Sequence, residues 1–132
     1  MMQDNRIVYA ELFGQRHPMC MTVAADAHIA EVYGSMQGLW ENLRSEHKAD
    51  IVDAYVELSA ALLEGGRDRI SVLASMHGVP HELPPAIDLR ANWGVLTDAE
   101  LSELTNAALR AFALGRSRTV EAVPSKKSET TQ

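Results

Sequence analysis

Residues 6–23 read RIVYAELFGQRHPMCMTV, and they decide the fold because two runs of β-forming residues lie on either side of a glycine. The first run is Arg6 to Phe13. The second is Pro18 to Val23, where methionine and valine recur at every second position. With Gly14 in the turn between the runs, the pattern predicts a β-hairpin over residues 6–23. Pro18 has no N–H for a ladder bond, so we expect its strand to be short or at an edge.

From Ala24 onward the apolar residues recur at helical spacing, which predicts helices over residues 24–115. Glycines and capping residues divide this region into five helices. These are 24–33 ended by Gly34, 36–43 capped by Ser35, 51–64 capped by Asp50 and ended by Gly65-Gly66, 67–77 ended by Gly78, and a last helix that opens with the capping box Thr97–Glu100 and ends near Gly115.

The fold class predicted is therefore α+β and mainly α, with an N-terminal β-hairpin followed by a bundle of about five helices. We expect one folded domain over residues 1–115.

Three of the five prolines lie in the stretch Val79 to Pro85, which predicts a stiff extended connection that Trp93 anchors to the core. Residues 116–132 have no periodic apolar pattern and are expected to be disordered. An isolated hairpin is marginally stable, so it must pack on the helices or pair with another copy, which leaves a homo-oligomer open.

Composition and charge exclude several classes of function. The net charge of −6 and the lack of a basic stripe argue against nucleic acid as a partner. No apolar run approaches the roughly 20 residues that span a bilayer, so no membrane partner is expected. The N-terminus lacks the pattern of a signal peptide and there is a single cysteine, Cys20. We therefore expect a cytoplasmic location.

Histidine and cysteine do not occur in a pattern typical of catalysis or metal binding. His77 and His81 have a spacing that can suit zinc, but Gly78 and Pro80 lie between them and no cysteine pair completes the site. Cys20 with His17 or His28 could form a nucleophile and base, but no third group orients them, and a cysteine in a strand is usually a small buried hydrophobe.

The acidic and glycine patterns also favour structural interpretations. Asp50, Asp53 and Glu57 lie on one side of a predicted helix, which is typical of a solvated face and of a first turn that suits the helix dipole. Gly65-Gly66-Arg67 is not a phosphate-binding loop, because no Gly-Lys-Ser/Thr pattern accompanies it. We expect no enzyme, no metal and no cofactor.

Methionines are the candidates for a surface that contacts another protein, because their side chains are flexible and polarizable. Core packing is the commoner use of methionine. Our preferred contact surface combines the hairpin with the second helix. Its residues are Met19, Met21, Met36, Leu39, Trp40 and Leu43.

The segment from Ala10 to Thr22 and on through Ile29 to Ser35 resembles the N-terminal part of small tail assembly chaperones of long-tailed bacteriophages and prophages. Those proteins begin with a short hairpin whose turn carries Gly and a basic residue, followed by a Tyr-Pro-Leu-like stretch and a Thr-capped helix that ends in an aromatic-Gly pair. Here His17-Pro18-Met19, Thr22 and Tyr33-Gly34 stand at those places. A proline-containing connection and a Thr-led final helix, 97–114, are also similar.

The resemblance implies a protein that binds the long, helical tape measure protein, or another tail protein, and keeps it soluble while the tail tube assembles. An apolar groove that covers a client helix would suit this role. Two alternatives stay open. One is a structural virion component, such as a tail or head–tail connector subunit, and the other is a regulatory protein-binding module.

Overall fold

The computed structural model describes residues 6–116 and begins with the predicted hairpin, formed by β1 (Val8–Leu12) and β2 (Gln15–Met19). Leu12 pairs with Gln15, so the turn has two residues, Phe13 at φ 52° and Gly14 at φ 76°. Two positive φ angles are typical of the type I′ turn, whose twist matches that of the strands.

The predicted bounds of the second strand, Pro18 to Val23, were wrong. Because the turn has only two residues, β2 starts at Gln15. The strand ends at Met19, since the next residue, Cys20, donates its backbone N–H to the Leu62 carbonyl oxygen of α3 at 2.9 Å instead of pairing with β1. Pro18 lies opposite Tyr9. Along an antiparallel ladder, residue pairs that exchange backbone hydrogen bonds alternate with pairs that do not. Leu12 and Gln15 form a bonded pair, so Tyr9 and Pro18, three pairs further on, form a non-bonded one. The missing N–H of Pro18 therefore costs no ladder hydrogen bond.

Five α-helices follow the hairpin within the described residues, and the caps expected for the first, second and last of them are present. Thr22 and Ser35 accept from the N–H groups of Ala25 and Gly38 at 3.1 Å and 3.0 Å, and Thr97 and Glu100 form the predicted capping box. The helices are α1 (Val23–Tyr33), α2 (Met36–Leu43), α3 (Lys48–His77), α4 (Leu89–Asn92) and α5 (Asp98–Arg116), with a 3-10 turn at Trp93–Val95.

The 30-residue helix α3 corrects two of the sequence-based expectations. The helices predicted over 51–64 and 67–77 are one, because Gly65 and Gly66 continue the helix instead of ending it. The N-cap is His47, and Asp50 lies in the first turn, where it accepts from the Ser45 hydroxyl at 3.1 Å.

The glycine pair lies where β2 and the residue after it cross α3. A Cβ atom on Gly65 would collide with the carbonyl oxygen of Cys20, and one on Gly66 would collide with that of Pro18. Each glycine weakens a helix by about 1 kcal/mol relative to alanine. Here the loss is offset by close packing of the hairpin backbone on the helix.

The connection over residues 79–88 contains no helix or strand, as the prolines predicted. The Arg67 guanidinium holds it by donating to the Pro84 carbonyl oxygen at 2.6 Å. Trp93 does not anchor it, since this side chain is 43% exposed. Ile87 and the buried Leu89 of α4 provide the apolar anchors instead.

The hydrophobic core is one cluster with members from the hairpin and all five helices. β1 packs on α5 and β2 packs on α3, whereas Tyr9 and Glu11 on the other face of β1 are exposed. α2 meets α5 where Trp40 and Phe112 contact edge to face, with ring centroids 5.0 Å apart. The α+β, mainly helical fold class is therefore confirmed.

The predicted disordered tail over 116–132 begins one residue too early, because Arg116 is the last residue of α5. The rest of that prediction concerns residues outside those described. Within residues 6–116, no helix combines the length and the apolar character needed to cross a bilayer.

Candidate functional site

The structure places the predicted contact residues mainly in the core. Met19, Met21 and Leu39 are buried, and Met36 and Leu43 are half-buried against the core. Trp40 contacts Phe112 as described above. A partner cannot reach the three buried side chains in this conformation, so they contribute to packing.

A different apolar surface lies at the C-terminal end of α3, and we call it the α3-end surface. It consists of Val72, Met76 and Val79. Val72 and Met76 are one helical turn apart and 56% and 74% exposed, and Val79 follows the helix cap at Gly78. Residues four apart share a helix face, so Val72 and Met76 form a continuous apolar strip.

The contact surface chosen from sequence was confined to the hairpin and the second helix, so it missed the α3-end surface. The inner stripe of this part of α3 includes Ile70 and Ala74, which are buried. The available signal was the apolar pair Val72 and Met76 at i, i+4 spacing outside the inner stripe. Other large apolar side chains are also exposed, at Tyr9, Phe13, Val23, Val32, Trp93, Val95 and Leu114.

A network of charged side chains joins α1, α3 and α4. Arg90 donates through Nε to Glu57 at 3.0 Å and through Nη1 to Glu64 at 2.8 Å, and His28 Nε2 lies 2.8 Å from Glu57 Oε1. Burial raises the pKa of the Glu57 carboxyl, but the bonds and charges of His28 and Arg90 outweigh burial and hold this pKa below its ordinary value. The network therefore holds the elements together around an ionised Glu57.

The other chemically interesting residues are not gathered into a reactive site. His28 binds Glu57, and Cys20 is buried with its backbone N–H bonded to Leu62. His77 and His81 are exposed at the end of α3 and in the connection. Among residues 6–116 there is no group of three or more His, Cys, Asp or Glu side chains placed to hold a metal ion.

The outer edge of β1 is covered by carboxylates of α5. Glu100 accepts from the Phe13 N–H at 3.0 Å, and Glu103 accepts from the Glu11 N–H at 3.2 Å. Hydrogen bonds from the backbone N–H groups of Thr97 and Phe13 lower the pKa of Glu100. An exposed strand edge invites pairing with other chains, and these contacts occupy two of its donors.

A cavity of about 350 Å³ lies between β2, α3 and the connection. His17 forms part of its wall, is only 3% exposed, and has an Nε2 atom that is buried without a hydrogen-bond partner. Burial lowers the pKa of the His17 imidazole and the charge of Arg67 lowers it further, while a hydrogen bond with the Leu12 backbone acts in the opposite direction. The net direction is down, so the ring is neutral at neutral pH.

No protein-family model matches the chain, and neither the curated proteins nor the solved structures include one that is detectably similar to it.

Proposed function

We propose that this protein is a tail assembly chaperone of a long-tailed phage or prophage, which binds the tape measure protein and keeps it soluble during tail tube assembly. The proposal describes a protein-binding role without catalysis. The observation that carries it is the α3-end surface, where Val72 and Met76 expose an apolar strip on a regular helix.

The chemistry of this strip suits a helical client. An apolar helix is bound when its stripe of side chains meets an apolar face of the partner, and methionine adapts to stripes of different shape. Three side chains bury little area, so each contact would be weak. Many copies along one long client would together cover its apolar stripe, and each copy could be displaced separately.

The net charge of the chain gives further support. At −6, copies bound side by side on a client would repel other particles of the same charge, which favours solubility of the complex.

The choice of client rests on the N-terminal pattern. The segment that resembles the chaperone family folds as a hairpin and then a helix capped by Thr22 and ended at Gly34 in the left-handed conformation. This order of elements is compatible with that family.

The test is co-expression with a tape-measure-sized, coiled-coil-rich protein encoded beside this chain, with the soluble fraction of the client as the measurement. The chaperone should raise that fraction. The double variant Val72→Glu/Met76→Glu should lose most of the effect, because it places two charges in the contact. Both positions are exposed, so the fold should tolerate the change.

The matched control is Val23→Glu, which adds the same side chain at a position that is 88% exposed in the first turn of α1. It should keep the full effect on the client. A client that stays insoluble with the wild-type protein would overturn the proposed function. Finding the chain in purified particles would favour a structural virion subunit instead.

A further inference from the structure

The segment over residues 80–95, which we call the strap, lies along α3 and is held to it by few contacts. It contains most of the connection, the short helix α4 and the 3-10 turn. Its backbone–backbone hydrogen bonds are local, since the N–H groups of Ala91 and Asn92 both donate to the Asp88 carbonyl oxygen. Within residues 6–116, none of them joins the strap to the hairpin or to another helix. A segment with so few bonds opens at a lower free energy than the whole fold.

Two arginine side chains provide the polar attachments of the strap. Arg67 of α3 donates to the Pro84 carbonyl oxygen at 2.6 Å. Arg90 of the strap donates to Glu57 at 3.0 Å and to Glu64 at 2.8 Å. Because later residues of the strap contact earlier residues of α3, the strap runs antiparallel to this helix.

Opening of the strap leaves no buried charge without a partner. When Arg90 leaves, Glu57 keeps His28 of α1, whose Nε2 lies 2.8 Å from Glu57 Oε1 and 3.2 Å from Arg90 Nη2. The Glu64 side chain is 63% exposed, so water replaces its bond to Arg90. An isolated buried charge would oppose opening strongly. The charged network therefore permits an open strap as well as a closed one.

The strap covers apolar surface of the rest of the fold but packs on it incompletely. Leu89 is buried, and Ile87 is half-buried against the core. The cavity of about 350 Å³ nevertheless separates part of the strap from the rest of the fold, with Ile87 on one side and Pro18 and Leu63 on the other. Side chains that border a cavity lack contacts there, so they gain less from closure. An open strap would expose Leu63, Ile87 and Leu89 together.

We propose that residues 80–95 detach from α3 as a unit while the rest of the fold stays intact, and that the client helix binds the apolar surface that this opening uncovers. The binding step rests on the proposed function and deepens it. The α3-end surface alone buries little area, and Leu63, Ile87 and Leu89 add to it when the strap opens. Val79 links the two surfaces, since it belongs to the α3-end surface and directly precedes the strap. Without a client, the closed strap keeps the additional apolar area covered, which limits self-association.

Thiol labelling of the full-length protein under native conditions measures the opening. Leu63→Cys places a thiol beneath the strap. Leu62→Cys makes the same change at the preceding residue, which is fully buried and does not border the cavity. Both variants carry Cys20→Ala, so that each has a single thiol. We expect the Leu63→Cys thiol to react with a chromogenic disulfide at least about tenfold faster, because the strap opens more often than the whole fold unfolds.

A second change separates opening from direct entry of the reagent through the cavity. Arg90→Met removes an attachment without widening the cavity, because Arg90 does not border it. It should raise the labelling rate of Leu63→Cys roughly tenfold, since the hydrogen bonds of a charged group hold the closed strap. Arg110→Met, at an exposed position of α5, should leave that rate unchanged.

Two results would overturn the opening of the strap. Equal labelling rates for Leu63→Cys and Leu62→Cys would mean that the strap leaves α3 only when the whole fold unfolds. A rate of Leu63→Cys that Arg90→Met leaves unchanged would mean that the reagent enters the closed protein. Neither measurement involves a client, so the opening and the proposed function can fail separately.

The link to the client is tested by diluting the coiled-coil-rich protein encoded beside this chain from urea into solutions of the purified chain. The concentration of chain that keeps half of the client soluble is measured. Arg90→Met populates the open strap, so this concentration should fall severalfold relative to wild type, whereas Arg110→Met should leave it unchanged. An unchanged or higher value for Arg90→Met, with wild-type protein still active, would overturn client binding to the open strap and leave the proposed function in place.

Discussion

Gly66 lies where the backbone of β2 crosses α3, and it has no room for a side chain. We predict that Gly66→Ala lowers the free energy of unfolding by about 1–3 kcal/mol, because the new methyl group forces the hairpin away from the helix. This is a net value: the collision costs more, but alanine stabilises a helix by about 1 kcal/mol relative to glycine and offsets part of that cost. Urea unfolding followed by circular dichroism measures the change.

The matched control is Gly94→Ala, since a Cβ atom at Gly94 meets nothing within 4 Å. This variant should stay within about 0.5 kcal/mol of the wild type. Equal stability of the two variants would mean that the close approach of hairpin and helix does not exist in solution.

His17 should make stability depend on pH. Its pKa in the folded protein lies below the ordinary value of 6.5 because of burial and Arg67, so the unfolded chain takes up a proton at higher pH than the folded one. The free energy of unfolding is then highest above pH 6.5 and declines as pH falls from 6.5 toward the folded pKa. Glu57 adds a separate loss, and only below its ordinary value of 4.5.

Urea unfolding between neutral pH and about pH 5 isolates the contribution of His17 from that of Glu57. His17→Gln should flatten the profile in this range, whereas His77→Gln, at an exposed position, should leave it unchanged. A wild-type profile that is already flat there would contradict the buried, neutral state of His17, whether or not the His17 variant folds.

At the scale of elements, the charged network fixes the short helix α4 on α3. We predict that Arg90→Met lowers the free energy of unfolding by about 1–2 kcal/mol, because Glu57 and Glu64 lose their cation while Glu57 stays partly buried. Arg110→Met, at an exposed position of α5, should change it by less than about 0.5 kcal/mol. If thermal and urea unfolding show no difference between the two, the network does not hold α4.

The elements also show which parts of the structure local sequence could predict. The presence of the hairpin, the helix ends at Gly34 and Gly78, and the capping box at Thr97 depend on residues within a few positions of one another, and these were predicted correctly. The bounds of the second strand were not. Gly65-Gly66 was misinterpreted because its role depends on β2, which lies far away in sequence. Local sequence patterns indicate helix propensity, but they do not show that the backbone of a distant strand packs directly against these two positions.

The candidate sites differ from the sequence-based ones for a similar reason. Hydrophobic spacing identifies Met19 and Leu39 as apolar positions on regular elements, but it does not say whether the protein itself or a partner covers them. The structure buries both. The cavity at His17 joins residues from β2, α3 and the connection, and no local pattern brings these segments together.

At the scale of the whole molecule, the core of the described chain surrounds the middle of α3, and an uncovered apolar strip lies at the C-terminal end of this helix. We infer that this strip binds the client and that the net negative charge of the chain favours solubility of the complex. The Glu57 carboxylate bonds to His28 and Arg90 and so links α1, α3 and α4.

The most direct test of the binding role is amide hydrogen exchange of the protein alone and in its complex with the client. Exchange at residues 70–80 should slow in the complex, because a bound helix covers the α3-end surface and restrains the end of α3. Unchanged exchange over residues 70–80 in a complex that has formed would contradict the account, because the client would then bind at another surface.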